Sequence, residues 1–273
     1  MDQSRIFEWI YDYPNFVVGP LIGIFFVGIT WLGILIFRSV VRNWIHGDQR
    51  VNDMIGFTFS GFSVLYGLLL GLLAVDAFQA FTVGSAVVSR EASALTTLYL
   101  GTQGYPQPIR QNLQAELREY TRAVIEIEWP EQRKGVVPTG GIGSQRAIAF
   151  SNDLAAFEPK NKKEEIVYSE TLRRFSNFLE MRRQRISDIR TRIPSVLWWV
   201  VCIGVLLDIA LICMLDMKLH VHLMLGGMLS LFLGLVIFLV AVLDHPFRGA
   251  VSVGPDDFQL VYDILMKPRA DHQ

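Results

Sequence analysis

The sequence predicts an all-α protein: four transmembrane helices, with a helical extramembrane domain between the second and the third. Three observations carry that prediction. The chain has 273 residues, of which 51% are hydrophobic and only 19% charged, against about 25% charged in an average soluble domain. Its apolar residues gather in four long stretches, and the mean hydropathy is +0.34. No convincing period-two pattern of strands appears anywhere.

Composition removes several functional classes. A net charge of −1 gives no basic excess for nucleic acid and no acidic excess for a disordered tail. The only cysteines, Cys202 and Cys213, lie on one apolar stretch, too far apart along a helix to bond each other. A disulfide framework and a cysteine-based zinc site are thereby excluded. What survives is a membrane protein.

The first apolar stretch, Tyr13 to Phe37, carries no charge between Asp12 and Arg38. Its leader holds Asp2, Glu8 and Asp12 against a single Arg5, the reverse of a signal peptide's basic start. Ile6, Phe7, Trp9, Ile10 and Tyr11 read as an interfacial anchor. The second stretch is Met54 to Val75, with a less apolar continuation past Asp76 to Ser89. The third, Ile193 to Leu215, is interrupted only by Asp208, and the fourth, Leu219 to Leu243, has no formal charge with His220 and His222 neutral. Each reaches the ~20 residues that cross ~30 Å of hydrocarbon at 1.5 Å per residue. Helices are the spanning form because lipid satisfies no backbone N–H or C=O. Asp216, Met217 and Lys218 alone separate the last two, which predicts a tight antiparallel hairpin.

The polar stretch from Arg90 to Arg192 holds two amphipathic helices. Ile109, Leu113, Leu117, Tyr120, Val124 and Ile127 recur at three- and four-residue steps, and this helix is expected to end at Trp129-Pro130. Tyr168, Leu172, Phe175, Leu179, Ile186 and Ile189 repeat the pattern on a second helix. Residues 135–144 (GVVPTGGIGS) form a Gly/Pro loop between helical pieces. The expected organisation is therefore 1–89, the leader and first two membrane helices; 90–192, the polar domain; 193–243, the hairpin; and 244–273, a C-terminal segment.

Lys and Arg near the membrane decide orientation. Arg5, Arg90, Arg182, Arg183, Arg185, Arg190, Arg192 and Arg248 fall on one side, and Arg38, Arg42, Arg50 and Lys218 on the other. Eight against four places the termini and the polar domain in the cytoplasm, although the short first loop, with three arginines, argues the other way.

Enzyme signatures are sparse. There is no His-Glu-x-x-His, Walker loop or nucleophile elbow, so no catalytic residue, cofactor or metal site is expected. Gly140-Gly141-Ile142-Gly143 reads as a flexible loop rather than a phosphate cradle, since no strand precedes it. His220 and His222 are two residues apart, a poor helical metal pair, and suit interfacial or hairpin-capping roles. Lys160 to Glu165 reads as a solvated helix face.

The second membrane helix is the most informative. Leu65, Leu69, Leu72, Asp76, Gln79 and Val83 share one stripe, grading from apolar to acid and amide. Gly56, Ser60, Ser63, Gly67, Gly71 and Ala74 share another, where Gly67-x-x-x-Gly71 allows close helix packing. In a ring of subunits the first stripe would line a pore, an apolar constriction followed by an Asp76 ring that attracts cations. The plainer alternative is ordinary core, with Asp76 marking where the helix leaves the bilayer. Asp208, near the middle of its helix, must face protein or water, because a charge there costs roughly 2.5–3.5 kcal/mol or more. A hydrogen bond to Tyr66 or a serine of the second helix and a part in ion passage are both open.

Three motifs carry a resemblance: Arg90-Glu91-Ala92 followed by Leu98-Tyr99; Tyr120 leading to Glu128-Trp129-Pro130; and Asp244-His245-Pro246-Phe247-Arg248-Gly249 after the fourth helix. On these the sequence resembles a bacterial family of membrane proteins grouped as bestrophin-like, over about Val64 to Phe258. Glu91, Glu128, Trp129, Pro130, Pro246, Phe247 and Gly249 are the structural motif positions. Ser89-Arg90 and Pro246-Phe247 also look like counterparts in the bestrophins themselves. That resemblance implies a homo-oligomeric, pentameric ion channel of the bacterial inner membrane, with the second helix lining the pore through a hydrophobic neck. Its partners would be the lipid bilayer, further copies of the chain and inorganic ions, with no nucleic acid. Leu65, Leu69 and Leu72 would form the neck, without the aromatic residues that bestrophins place there. The bestrophins' arginine- and tryptophan-rich signature on that helix is largely missing. The acidic cluster that binds calcium in animal bestrophins is not reproduced, Asp256-Asp257 being too short a run. The competing function is a non-conducting membrane scaffold or sensor whose helical domain binds a partner protein, with Arg182, Arg183 and Arg185 meeting anionic lipid or that partner.

Overall fold

The computed structural model describes residues 11, 13–45, 49–138, 140–189, 193–249 and 251–267. Most of the expected interfacial leader, Ile6 to Ile10, together with Arg5, Arg190 and Arg192, lies outside the described residues. Among the described residues every regular element is helical. They are α1 (Asn15–Ile45), α2 (Gln49–Gly101), α3 (Ile109–Ala123), α4 (Trp129–Arg133), α5 (Ile142–Ala155), α6 (Lys162–Asp188), α7 (Ser195–Cys213), α8 (Leu219–Leu243) and α9 (Asp256–Val261).

Among the described residues four helices are long and apolar enough to cross a membrane: α1, α2, α7 and α8. With 53 residues, α2 is about 80 Å long, more than twice the ~30 Å hydrocarbon thickness. It has no internal proline or described break, so the apolar stretch and its more polar continuation are one rod.

The chain divides into two compact units, and on α2 the division falls between Ala80 and Phe81. The membrane unit takes the chain up to Ala80, residues 192–245 and 249–251. Its core joins Ile34 of α1, Tyr66, Leu70, Leu73 and Ala77 of α2, Val201, Val205 and Ile209 of α7, and Leu233 and Ile237 of α8. The expected pairing of the last two membrane helices is only part of the packing. Residues 214–218 do join α7 to α8, but the main partner of α8 is α1. There the backbones nearly touch: a Cβ on Gly234 would lie 3.2 Å from the Cα of Gly23. Without a hydrophobic drive inside lipid, such close approach is what binds membrane helices.

The polar unit takes residues 81–191, 246–248 and the chain after 252. Its core is formed by Leu95, Leu98, Leu113, Leu117, Tyr120, Phe150, Phe175 and Phe178, closed by Trp129, Phe247 and Phe258. Helix α3 does not end at Trp129-Pro130. It widens into a π-turn over Val124–Glu128 and runs on as α4 to Arg133. The wide turn sits just before a proline that lacks an N–H and would crowd a regular turn. It also shifts the helical phase, leaving Ile127 exposed and bringing Glu128 inside.

Lys160 to Glu165 is more than a solvated face. The Oδ1 of Asn161 accepts the Glu164 N–H at 2.9 Å, and the Glu164 carboxylate accepts the Lys160 N–H at 2.8 Å. This capping arrangement sets the start of α6.

Candidate functional site

Helix α2 presents three faces within the membrane unit. Tyr66, Leu70, Leu73 and Ala77 are buried against the other helices. On one flank lie Leu65, 69% exposed, and Leu72, 62% exposed, with Leu69 half-buried between them. Asp76, Gln79 and Val83 continue that flank and are exposed. On the other flank, Gly67 and Gly71 are also exposed, and a Cβ on either would meet nothing within 4 Å. The Gly67-x-x-x-Gly71 pair therefore does not provide the packing face within one chain. A third stripe supplies most of that face, joined at its edges by Leu69, Ala74 and Ser63, and Leu65, Leu72, Gly67 and Gly71 stay open.

Asp208 of α7 is buried, and the hydroxyl of Ser63 donates to its Oδ1 at 2.9 Å. One turn along, the Tyr66 hydroxyl donates to the carbonyl of Val201 at 2.9 Å. The polar atoms of this helix pair thus meet each other inside the apolar layer, where an unmet one is costly.

In the polar unit the structure assembles a buried cluster of four charges. Glu91, Arg185 and Glu128 are all but inaccessible, and Arg182 is buried beside them. The Nε of Arg185 donates to Glu91 Oε2 at 2.5 Å, and its Nη2 reaches Glu128 Oε2 at 3.3 Å. Arg182 donates through Nη2 to Glu128 Oε1 at 2.9 Å and through Nη1 to the Tyr120 hydroxyl at 2.7 Å. That hydroxyl in turn donates to Glu91 Oε1 at 2.6 Å. Two carboxylates and two guanidinium groups balance, which is the condition for keeping charges out of water. Aromatic faces close the cluster: the Arg185 guanidinium lies 5.2 Å from the Trp129 ring centroid, and that of Arg182 5.1 Å from Tyr120. Burial, reinforced by the Glu91 carboxylate, holds the Tyr120 hydroxyl well above the usual tyrosine range. Burial opposes the charge on Arg185, but Glu91, Tyr120 and Glu128 outweigh it and the net shift is upward.

A sequence-family model described as Bestrophin-like domain matches residues 24–258. The chain belongs to the bestrophin-like family. Solved structures share its fold. One is a bacterial bestrophin homologue from Klebsiella pneumoniae carrying a leucine-to-threonine substitution: TM-score 0.61, 13% identity, covering 88% of this chain and 98% of that one. The same homologue solved by zinc phasing gives a TM-score of 0.61 at 13% identity, over 88% and 97% of the two chains. A membrane protein with a glycine-to-alanine substitution gives 0.60 at 12%, over 89% and 97%. No curated protein sequence matches the chain.

In this bestrophin-like chain the motif residues have visible duties. Glu91 and Glu128 carry the buried cluster, and Pro130 follows the π-turn. Trp129 donates its indole N–H to the Val253 carbonyl at 3.0 Å and packs beside Phe247. Pro246 accepts the Val253 N–H at 2.7 Å. Gly249 takes φ +80°, a conformation that favours glycine, with Tyr11 against it. Asp244 accepts the Ile193 N–H at 2.6 Å, just before Pro194. One glycine of the cluster is explained by the same charges: a side chain on Gly143 would collide with the Glu128 carboxylate. His222 is buried with its Nε2 2.9 Å from the Ile212 carbonyl, capping the end of α7, whereas His220 is exposed. Among the described residues no group of three His, Cys, Asp or Glu could hold a metal ion.

Arg182 and Arg185 were missed as core residues because arginine at a helix end reads as surface. Their signal lies in spacing: Thr171, Phe175, Phe178, Arg182 and Arg185 are the buried positions of α6, and the steps of four and three continue one face.

Proposed function

We propose that this bestrophin-like protein is a homo-oligomeric ion channel in which α2 lines the pore. The observation that supports this reading is the open flank of α2. Leu65, Leu69 and Leu72 make an apolar stripe, and Asp76, Gln79 and Val83 follow it on a helix whose back is already packed. Repeated around an axis, the leucines would dewet a narrow neck and the Asp76 ring would concentrate cations beyond it. The flank of Gly67 and Gly71, which no described residue covers, would take the neighbouring subunit's helix. The family supports a ring of subunits, pentameric by resemblance, in the bacterial inner membrane.

Cytoplasmic termini and a cytoplasmic polar unit rest on the arginine count, which shrinks because Arg182 and Arg185 are spent inside the polar unit. The remaining six against four keep the same direction. For the alternative, a non-conducting scaffold or sensor, Arg182, Arg183 and Arg185 would meet lipid or a partner, and of these only Arg183 is exposed.

Purified protein reconstituted in liposomes tests the proposal. Ion flux is expected, raised several-fold by Leu72→Ala and shifted away from cations by Asp76→Asn. An intact oligomer that passes no ions at any voltage, pH or calcium level would overturn it.

A further inference from the structure

The packing of α2 against α7 has a directional component that an apolar helix contact lacks. Ser63 and Tyr66 sit three residues apart on α2, and Val201, Gly204 and Asp208 sit at steps of three and four on α7, so each set lies on one helix face. The Ser63 hydroxyl donates to Asp208 Oδ1 and the Tyr66 hydroxyl to the Val201 carbonyl, both at 2.9 Å. Between these bonds Gly204 forms a notch: any side chain there would collide with the Tyr66 ring. The ring of Phe62 stacks on Tyr66 from its own helix, centroids 5.9 Å apart. The rest of this face of α2, Leu70, Leu73 and Ala77, is apolar, and apolar contact is non-directional.

We infer that Ser63, Tyr66 and Asp208 form an intramembrane latch that fixes the rotation of α2 about its own axis, and so decides which flank faces the pore. The inference rests on the pore reading above. A helix turns about 100° per residue. A rotation of roughly one or two such steps would exchange the flank of Leu65, Leu69 and Leu72 for that of Gly67 and Gly71. Apolar packing alone opposes such a turn weakly. Two hydrogen bonds in hydrocarbon add a directional opposition, because a turned helix would part the Asp208 carboxyl and the Tyr66 hydroxyl from their present partners. Ser63, Tyr66 and Asp208 are thus positioning residues: they touch no ion and act through the leucine neck.

The test reads rotation directly rather than conduction. In a background carrying Cys202→Ala and Cys213→Ala, cysteine replaces Leu65, Gly67, Leu69, Gly71 and Leu72 one at a time. Each purified oligomer in liposomes is treated with a water-soluble thiol reagent. With the latch intact, modification is expected to be several-fold faster at positions 65, 69 and 72 than at 67 and 71. Adding Tyr66→Phe and Asp208→Leu together should erase or invert that contrast. Asp208→Asn, which keeps an oxygen acceptor for Ser63, should retain it. If the double variant does not assemble, Tyr66→Phe and Ser63→Ala, each losing one hydroxyl, carry the test, with a partial loss of contrast expected. An unchanged pattern in assembled latch variants overturns the latch. Absence of the contrast with the latch intact overturns the pore reading instead, so the two failures are distinguishable.

Discussion

Asp76 and Glu91 lie fifteen residues apart on the same helix, yet the chain treats them oppositely. Glu91 is fully buried and receives Arg185 and the Tyr120 hydroxyl. Asp76 is exposed and has no hydrogen bond or ion pair to the described residues. The polar unit thus pairs this buried carboxylate within one chain, while the membrane unit leaves its one acidic group on the open flank of α2 unengaged. A buried carboxylate held by a guanidinium and a tyrosine hydroxyl is part of a fold. A free carboxylate beside a leucine stripe has no such duty among the described residues.

If that contrast holds, the two carboxylates should differ most in stability. Glu91→Ala leaves Arg185 without its main counter-charge and should destabilise the protein by about 3–5 kcal/mol, the range for breaking a buried pair. Unfolding of the purified protein in detergent measures it, and a change below about 1 kcal/mol would mean the cluster is not closed as described. The next effect depends on pH. Tyr120 must stay protonated in the folded state, its hydroxyl held above the ordinary value of 10.0 by burial and by Glu91. The unfolded chain can lose that proton near pH 10, so the stabilisation is complete below that pH and is lost as the pH rises above it. Tyr120→Phe should flatten the alkaline decline of the unfolding midpoint. A residual slope from Tyr105, also raised by burial, should remain. The smallest effect belongs to Asp76: Asp76→Asn should leave unfolding within about 0.5 kcal/mol, whatever it does to ion selectivity.

Much of this was legible in the sequence, and the rest was hidden for definite reasons. Four apolar stretches became four helices long enough to cross a membrane because lipid allows little else. The amphipathic periods of α3 and α6 located the polar core, with Leu113, Leu117, Tyr120 and Phe175 all buried. Ile127 was misplaced because the π-turn before Pro130 slips the phase by a residue, which a fixed period cannot register. Arg182 and Arg185 were assigned to the membrane surface because charge usually goes there, and only the matching Glu91 and Glu128, far away in sequence, bring them inside. On α2 both stripes were visible, but not that a third face, led by Tyr66, holds the helix to its own chain. The bond from a serine of α2 to Asp208 is one of the two readings the sequence left open, but the notch at Gly204 of α7 that receives Tyr66 is in no local pattern of α2.

The central claim is that the open flank of α2 faces the axis of an oligomer. Electron imaging of the purified, detergent-solubilised protein tests this most directly. The account predicts a closed ring of subunits around a central opening lined by α2, narrowest at Leu65, Leu69 and Leu72 and bordered by Asp76. A dimer without a central axis, or a ring with the leucine flank turned to lipid, would contradict it.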